Sequence, residues 1–239
     1  MVAGQHPSAI AMTPTVSVLQ LDTNFPRVPG DVSCPDTYRG NIEIIRVGGA
    51  SVKKIVNKQP DLIDIAPFER ALGKASGDVV VTSCGFLSPW QDHLAAQSVK
   101  PFVSSALTAL HTLSRAYAPG EVMILTFDAA SLTASHLGQF ADYASGIVGL
   151  PAAMHLRQVI SQDQTTLDAA RVTRELSDFV RDKRQPAHKH LLLECTNLPP
   201  YKLALQQVTG FGVSDILTQV ETASPGSVRP QFLSATPPT

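Results

Sequence analysis

"VMILTFD" at residues 122–128 repeats the pattern of "VSVLQLD" at residues 16–22, and this repeat decides how the chain is read. Both fit V-x-[VI]-L-x-x-D. Each is followed, roughly 60–70 residues later, by an apolar run that closes on a cysteine: "VVVTSC" at 79–84 and "LLLEC" at 191–195. Short apolar runs bounded by polar or turn residues read as buried strands. The shared order and spacing point to an internal duplication, in which Asp22 precedes Cys84 as Asp128 precedes Cys195. "IEIIRV" (42–47) is a further strand. "PFVSSALTALHTLSRAY" (101–117) and "TTLDAARVTRELSDFVRDK" (165–183) carry apolar residues at three- and four-residue steps, the pattern of amphipathic helices. "GFGVSDILTQV", near 210–220, reads as another. Strands alternating with helices predict parallel α/β layers. In a doubly wound sheet, ligands sit beyond the carboxyl ends of the strands, where Asp22, Cys84, Asp128 and Cys195 all fall.

The 239 residues are 44% hydrophobic and 16% charged, which suits a globular protein with an ample core. A formal charge of −1 gives no electrostatic footprint for nucleic acid or an anionic membrane. No apolar run approaches the roughly 18 residues of a transmembrane span. The opening "MVAGQHPSAIAMTPT" lacks the basic region and long apolar stretch of a secretory signal, so a cytoplasmic address is expected. Residues 1–13 and 231–239 are expected to be loose termini. Three widely spaced cysteines, Cys34, Cys84 and Cys195, argue for free thiols rather than a disulfide framework. Cys34 lies in a Pro/Gly-rich loop and reads as incidental. His188 and His190 read as part of a basic loop leading into a strand, because no acidic or cysteine ligand completes a metal site. GxGxxG, Walker, HExxH and GxSxG patterns are all missing. The expectation is an enzyme with no metal and no cofactor.

Two thiols contributed by facing halves suit chemistry at a carbon next to a carboxylate. One thiolate removes the α-proton while the opposite thiol delivers a proton to the other face. An unperturbed thiol, with pKa about 8.5, has both forms accessible near neutrality. The backbone N–H groups of Gly85 and Phe86, and of Thr196 and Asn197, begin the turns after the cysteines, where they can hold a carboxylate. Ser83, Thr126, Thr196 and Asn197 add hydrogen-bonding side chains, and Asp22 is placed to exchange a proton with Cys84. Arg27, in "FPRVPGD", reads as solvated loop charge more readily than as a carboxylate clamp. Glu194 should point away from Cys195 if the strand pleat persists, and is not assigned a catalytic role.

With these residues in view, the chain resembles the aspartate/glutamate racemase superfamily, which includes hydantoin racemases and maleate isomerase-like enzymes. "LDTNFPRVPGD" (21–31), "VVVTSCGFL" (79–87), "ILTFDAAS" (124–131) and "LLLECTNLPPY" (191–201) carry the resemblance in the expected order. It implies a cofactor-independent two-cysteine isomerase built of two pseudo-symmetric, doubly wound α/β domains, each with a mostly parallel sheet flanked by helices, and an active site in the interdomain cleft. It implies Asp22, Cys84 and Cys195 as catalytic residues, with Thr23, Asn24, Ser83, Gly85, Phe86, Thr126, Thr196 and Asn197 around the substrate. Asp22-Thr23-Asn24 stands where glutamate racemases have Asp-Ser-Gly, and Cys84-Gly85-Phe86 where they have Cys-Asn-Thr. Asn197 replaces a histidine that assists the second thiol, so a substrate other than glutamate is expected. The implied lobes are 14–104 plus 208–230, and 105–207. The leading expectation is racemisation or epimerisation of a small carboxylate such as an amino acid. A cis–trans isomerase or decarboxylase using one cysteine stays open, as does a non-catalytic small-carboxylate-binding protein. Relatives are commonly homodimers.

Overall fold

A computed structural model describes residues 13–233. The ends expected to be loose fall outside the described residues, save Thr13 and residues 231–233. Of these, Gln231 and Phe232 belong to a short 3-10 turn over Pro230–Phe232.

Among the described residues, eight strands form two four-stranded sheets. The first contains β1 (Val16–Leu21), β2 (Ile42–Val47), β3 (Val79–Thr82) and β4 (Phe102–Val103) in the order β2-β1-β3-β4. The second contains β5 (Val122–Thr126), β6 (Ile147–Gly149), β7 (His190–Leu193) and β8 (Gly212–Ser214) in the order β6-β5-β7-β8. Every pairing between these strands is parallel. The two sheets therefore repeat one topology, and β1 and β5, the strands of the sequence repeat, hold equivalent central places. Leu19 pairs with Thr82 as Leu125 pairs with Leu193. Continuing each register by two residues sets Leu21 beside Cys84 and Phe127 beside Cys195.

The central strands are buried on both faces, which explains why they read as continuous apolar runs rather than as alternating ones. Val79, Val81, Val122, Leu125, Leu191 and Leu193 are wholly buried. Alternate residues of the second sheet join different cores. Ile124 and Leu192 pack with the cluster that contains β1 and β3, whereas Met123, Leu125, Leu191 and Leu193 pack with Leu176 and Val180. Those last two lie on the long helix Ala169–Lys183, whose Asp168 cap accepts the Arg171 N–H at 2.9 Å.

Two sequence expectations change. The helix expected over 101–117 is instead strand β4, a 3-10 turn over Ala106–Ala109 and a short helix over Leu110–Leu113. The Pro101 carbonyl accepts the Val80 N–H at 2.9 Å, drawing the segment onto the sheet edge. The Ser105 hydroxyl then accepts the Leu107 N–H at 3.1 Å and starts the turn. The expected helix at 210–220 is likewise split, into β8 and a helix over Ile216–Ala223. Asp215 marks the break, its carboxylate accepting the Thr218 N–H at 3.0 Å and pairing with the buried Lys202 ammonium at 2.6 Å.

That break also moves the implied lobe boundary. Residues 208–230 were expected to return to the first lobe, yet β8 completes the second sheet through the His190–Gly212 and Leu192–Ser214 pairs. Helix Ile216–Ala223 then packs against β3, β4 and the 106–109 turn of the first half. Beyond it, Val228 bridges to Tyr38, and the Arg229 N–H donates to the Thr37 carbonyl at 3.0 Å.

Candidate active site

A small cavity of about 30 Å³ opens where the carboxyl ends of β1 and β3 meet those of β5 and β7. Its polar lining comes from Ser83, Cys84, Glu194, Cys195, Thr196 and Asn197. Its apolar walls are Leu21, Phe25, Val52, Val56, Phe86, Phe127 and Ile160, with Gly85 between the two sets. Both halves of the duplication thus contribute a strand-end thiol to one space.

The thiols sit in parallel settings. Cys84 leaves β3 at the start of a 3-10 turn over Gly85–Trp90, and the Phe86 N–H points at its sulfur. Cys195 leaves β7, and the Asn197 N–H points at its sulfur. Burial, followed by the nearby Glu194 charge, pushes the Cys84 thiol up to about 12. The same two causes, in the same order, push the Cys195 thiol higher, with further upward pressure from Cys84 and Asp31. Each N–H opposes the rise. Both cysteines are therefore thiols at neutral pH.

Cys195 is also held from the side. Its Sγ donates to Asn197 Oδ1 at 3.7 Å, and Asn197 Nδ2 donates to Asp31 Oδ2 at 2.6 Å. Asp31 accepts the Ser33 N–H at 2.8 Å and pairs with Arg27 at 3.3 Å. Burial raises the Asp31 pKa, against the pull of Arg27 and of these hydrogen bonds. Asn197, standing where the resembled family has histidine, thus couples the thiol to a buried ion pair rather than serving as an acid or base. Arg27 is correspondingly not the solvated loop charge expected, because its side chain is only 11% exposed. Across the cavity, Thr196 Oγ1 donates to the Ser83 carbonyl at 2.7 Å, and the Leu21 N–H donates to Ser83 Oγ at 2.9 Å.

Glu194, assigned no catalytic role from the sequence, lies close enough to both thiols to raise their pKa values. Its side chain is wholly buried and lines the cavity with both thiols. Oε2 accepts the Thr126 hydroxyl at 2.6 Å, while the buried Oε1 has no hydrogen-bond partner. Burial, partly offset by Thr126, raises its pKa to about 7. A Cβ on Gly85 would lie 2.0 Å from Oε1, so only glycine admits this carboxylate. The available signal was an acidic residue inside an apolar run, directly before a strand-end cysteine. The Glu194 N–H donates to the Leu125 carbonyl at 2.9 Å, so the ladder runs on past Leu193; the Glu194 side chain meets Thr126, while Cys195 packs with Leu125 and Leu193.

Four expected residues, Asp22, Thr23, Asn24 and Thr126, are not part of the cavity lining. Asp22 is absent from the cavity wall; its half-exposed carboxylate accepts Arg46 Nε at 2.6 Å and the Gly49 N–H at 3.0 Å, contacts that hold its pKa down. Thr23 accepts Arg27 Nη2 at 3.0 Å, and Asn24 donates its side-chain amide to Asp163 at 2.8 Å. Asp163 has a left-handed backbone (φ 49°) and also accepts the Phe25 N–H at 3.1 Å, so it anchors the loop after β1. Thr126 acts through Glu194. Asp128, the repeat partner of Asp22, pairs with Arg157 at 3.3 Å. Phe25 and Phe127 line the cavity, and the Arg27 and Arg157 guanidinium groups lie 4.2 and 4.3 Å from their respective ring centres. Among the described residues, no group of three or more His, Cys, Asp or Glu is arranged to hold a metal ion. No helix among them is long and apolar enough to cross a membrane.

No family model matches the chain. It is 29% identical over 227 residues to a dimethylsulfoniopropionate lyase of Durusdinium sp. clade D, covering 87% of this chain and 73% of that protein. It is 28% identical over 228 residues to dimethylsulfoniopropionate lyase 5 of Emiliania huxleyi (strain CCMP1516), covering 87% of this chain but only 44% of that protein. Among solved structures, allantoin racemase from Pseudomonas fluorescens superposes with a TM-score of 0.56 at 10% identity, covering 94% of this chain and 98% of that one. Arylmalonate decarboxylase superposes with a TM-score of 0.56 at 15% identity, covering 92% and 97%. The chain shares the α/β fold of allantoin racemase and arylmalonate decarboxylase.

Proposed function

We propose that the chain is a cofactor-independent lyase that removes the proton next to the carboxylate of a small sulfonium acid and expels a thioether, with dimethylsulfoniopropionate as the first substrate to test. Cys84 and Cys195 lining one cavity at equivalent strand ends is the observation that carries this reading. The names of the relatives turn it from isomerisation, the expectation from sequence, towards elimination.

The chemistry needs one base. A cysteine thiolate takes the α-proton, and that C–H electron pair becomes the new C=C bond. The bond from the β-carbon to sulfur breaks with its pair going to sulfur, so the cation leaves as neutral dimethyl sulfide and acrylate remains. The sulfonium charge serves twice: it makes sulfur a leaving group, and inside an apolar cavity it lowers the cost of the thiolate. The Phe86 or Asn197 N–H then stabilises that thiolate directly. The Gly85 and Thr196 N–H groups, which begin the turns after the two thiols, are placed to receive the substrate carboxylate.

The matched thiols also support a second reading, two-base racemisation of a small carboxylate. The two are separated by incubating the protein with dimethylsulfoniopropionate and measuring headspace dimethyl sulfide, and by following α-proton exchange of single-enantiomer amino acids and allantoin in deuterated water. Dimethyl sulfide release that is lost in one or both of Cys84→Ala and Cys195→Ala is the expected result. Exchange without dimethyl sulfide would transfer the conclusion to racemisation, and neither activity would leave a binding protein.

A further inference from the structure

Glu194 is a carboxylate that the packing alone does not justify. It is wholly buried, it lines the cavity, and one of its oxygens has no partner. Leaving such a group uncompensated in an apolar site is costly, and a neutral residue of similar size would avoid the cost. No lining residue is cationic. The two guanidinium groups nearest the walls are already engaged, Arg27 by Asp31 and Arg157 by Asp128. Above about pH 7, where Glu194 is ionised, its counter-charge is left for a ligand to bring.

The surroundings restrict what that counter-charge can be. Leu21, Val52, Val56 and Ile160 offer no hydrogen-bond acceptors. A primary ammonium, with three N–H groups to satisfy, is poorly served where Ser83 Oγ, Thr196 Oγ1 and Asn197 Oδ1 are already engaged and the other walls are apolar. A methylated onium head has no N–H to satisfy and gains from aromatic rings, here Phe25, Phe86 and Phe127. We propose that Glu194 is the specificity-determining residue of this site, selecting ligands that carry a methylated sulfonium or quaternary ammonium head and rejecting neutral acids and ordinary α-amino acids. Gly85 belongs to the same device, because any side chain there would displace Oε1. The inference rests on the elimination reading for the class of substrate, but it concerns binding and is tested apart from turnover.

The probe pair is 3-(trimethylammonio)propanoate and its uncharged isostere 4,4-dimethylpentanoate, titrated calorimetrically into the wild-type protein and into Glu194→Gln. Glutamine keeps the size and the contact to Thr126 while removing the charge. The expected result is that wild type prefers the cationic ligand by about 10- to 100-fold, the range of a buried charge-assisted contact. In Glu194→Gln the preference falls close to unity, while the affinity for the isostere is kept or raised. Equal affinity of the wild type for the two ligands overturns the proposal whether or not the variant folds, and so does a preference that survives in a folded Glu194→Gln. Dimethyl sulfide release is measured in parallel on wild type. A preference that collapses in the variant without any release supports the role of Glu194 and refutes the lyase; release with an unchanged preference does the reverse.

Discussion

Replacing Glu194 with glutamine converts the buried carboxylate into a measurement of its own titration. In the folded protein the group titrates near pH 7, against an ordinary value of 4.5 once unfolding exposes it. Its folded-state pKa is raised, so its full stability contribution is present below pH 4.5 and is lost as pH rises through 7. Between those values the folded state keeps a proton that the unfolded state has released. The gap, 7 − 4.5, is 2.5 pH units, and at about 1.4 kcal/mol per unit the loss amounts to about 3 kcal/mol above pH 7. Glutamine does not titrate. Urea unfolding of both proteins at intervals from pH 4.5 to 8 therefore yields a difference curve in which the variant gains on wild type by about 3 kcal/mol, most of it before pH 7. Asp31 and the buried histidines titrate in both proteins and drop out of the difference. A curve that is flat, or in which wild type gains with rising pH, would refute both the burial of this carboxylate and its lack of a cationic partner.

Three other perturbations probe separate parts of the architecture. Gly85→Ala forces a methyl group onto Glu194 Oε1 and should cost about 1–3 kcal/mol by overpacking, read by urea unfolding, together with most of the activity. Asn197→Ala removes the link between Cys195 and Asp31 and should lower stability by about 1–3 kcal/mol. In steady-state kinetics it should depress kcat more than it raises KM, because the thiol loses its orientation. Lys202→Met leaves Asp215 buried without its cation and should lower stability by about 3–5 kcal/mol, seen as a fall in Tm, while the wild-type preference for the cationic ligand persists.

The repeated strand pattern made the core of the fold legible. Residues 16–21 and 122–126 lie at equivalent places in equivalent sheets, because fully buried parallel strands must be apolar throughout and so leave a plain trace. The strands that escaped notice, β4, β6 and β8, have only two or three residues each, too few for any period to show. The thiols were legible from their shared position after an apolar run. Glu194 was not, since alternation says which face of the sheet a side chain takes but not what it meets there, and here it meets Thr126 and the glycine that follows Cys84. Asp22 was misjudged for a related reason. Sitting at the end of a central strand puts a residue near the site, but an arginine on the neighbouring strand β2 claimed its carboxylate.

The path of the chain after β7 bears on how the two halves can be divided. Strand β8 finishes the second sheet, but the helix Ile216–Ala223 that follows covers the first, and the bridge between Tyr38 and Val228 fastens that return. Cutting between the halves near residue 118 would therefore not release two self-sufficient modules. The amino-terminal piece would expose the apolar surface on β3 and β4 that this helix shields, and the carboxyl-terminal piece would carry an orphaned helix. The two sheets repeat one topology, yet this shared terminal helix ties them together, so neither half stands as a complete unit without the other.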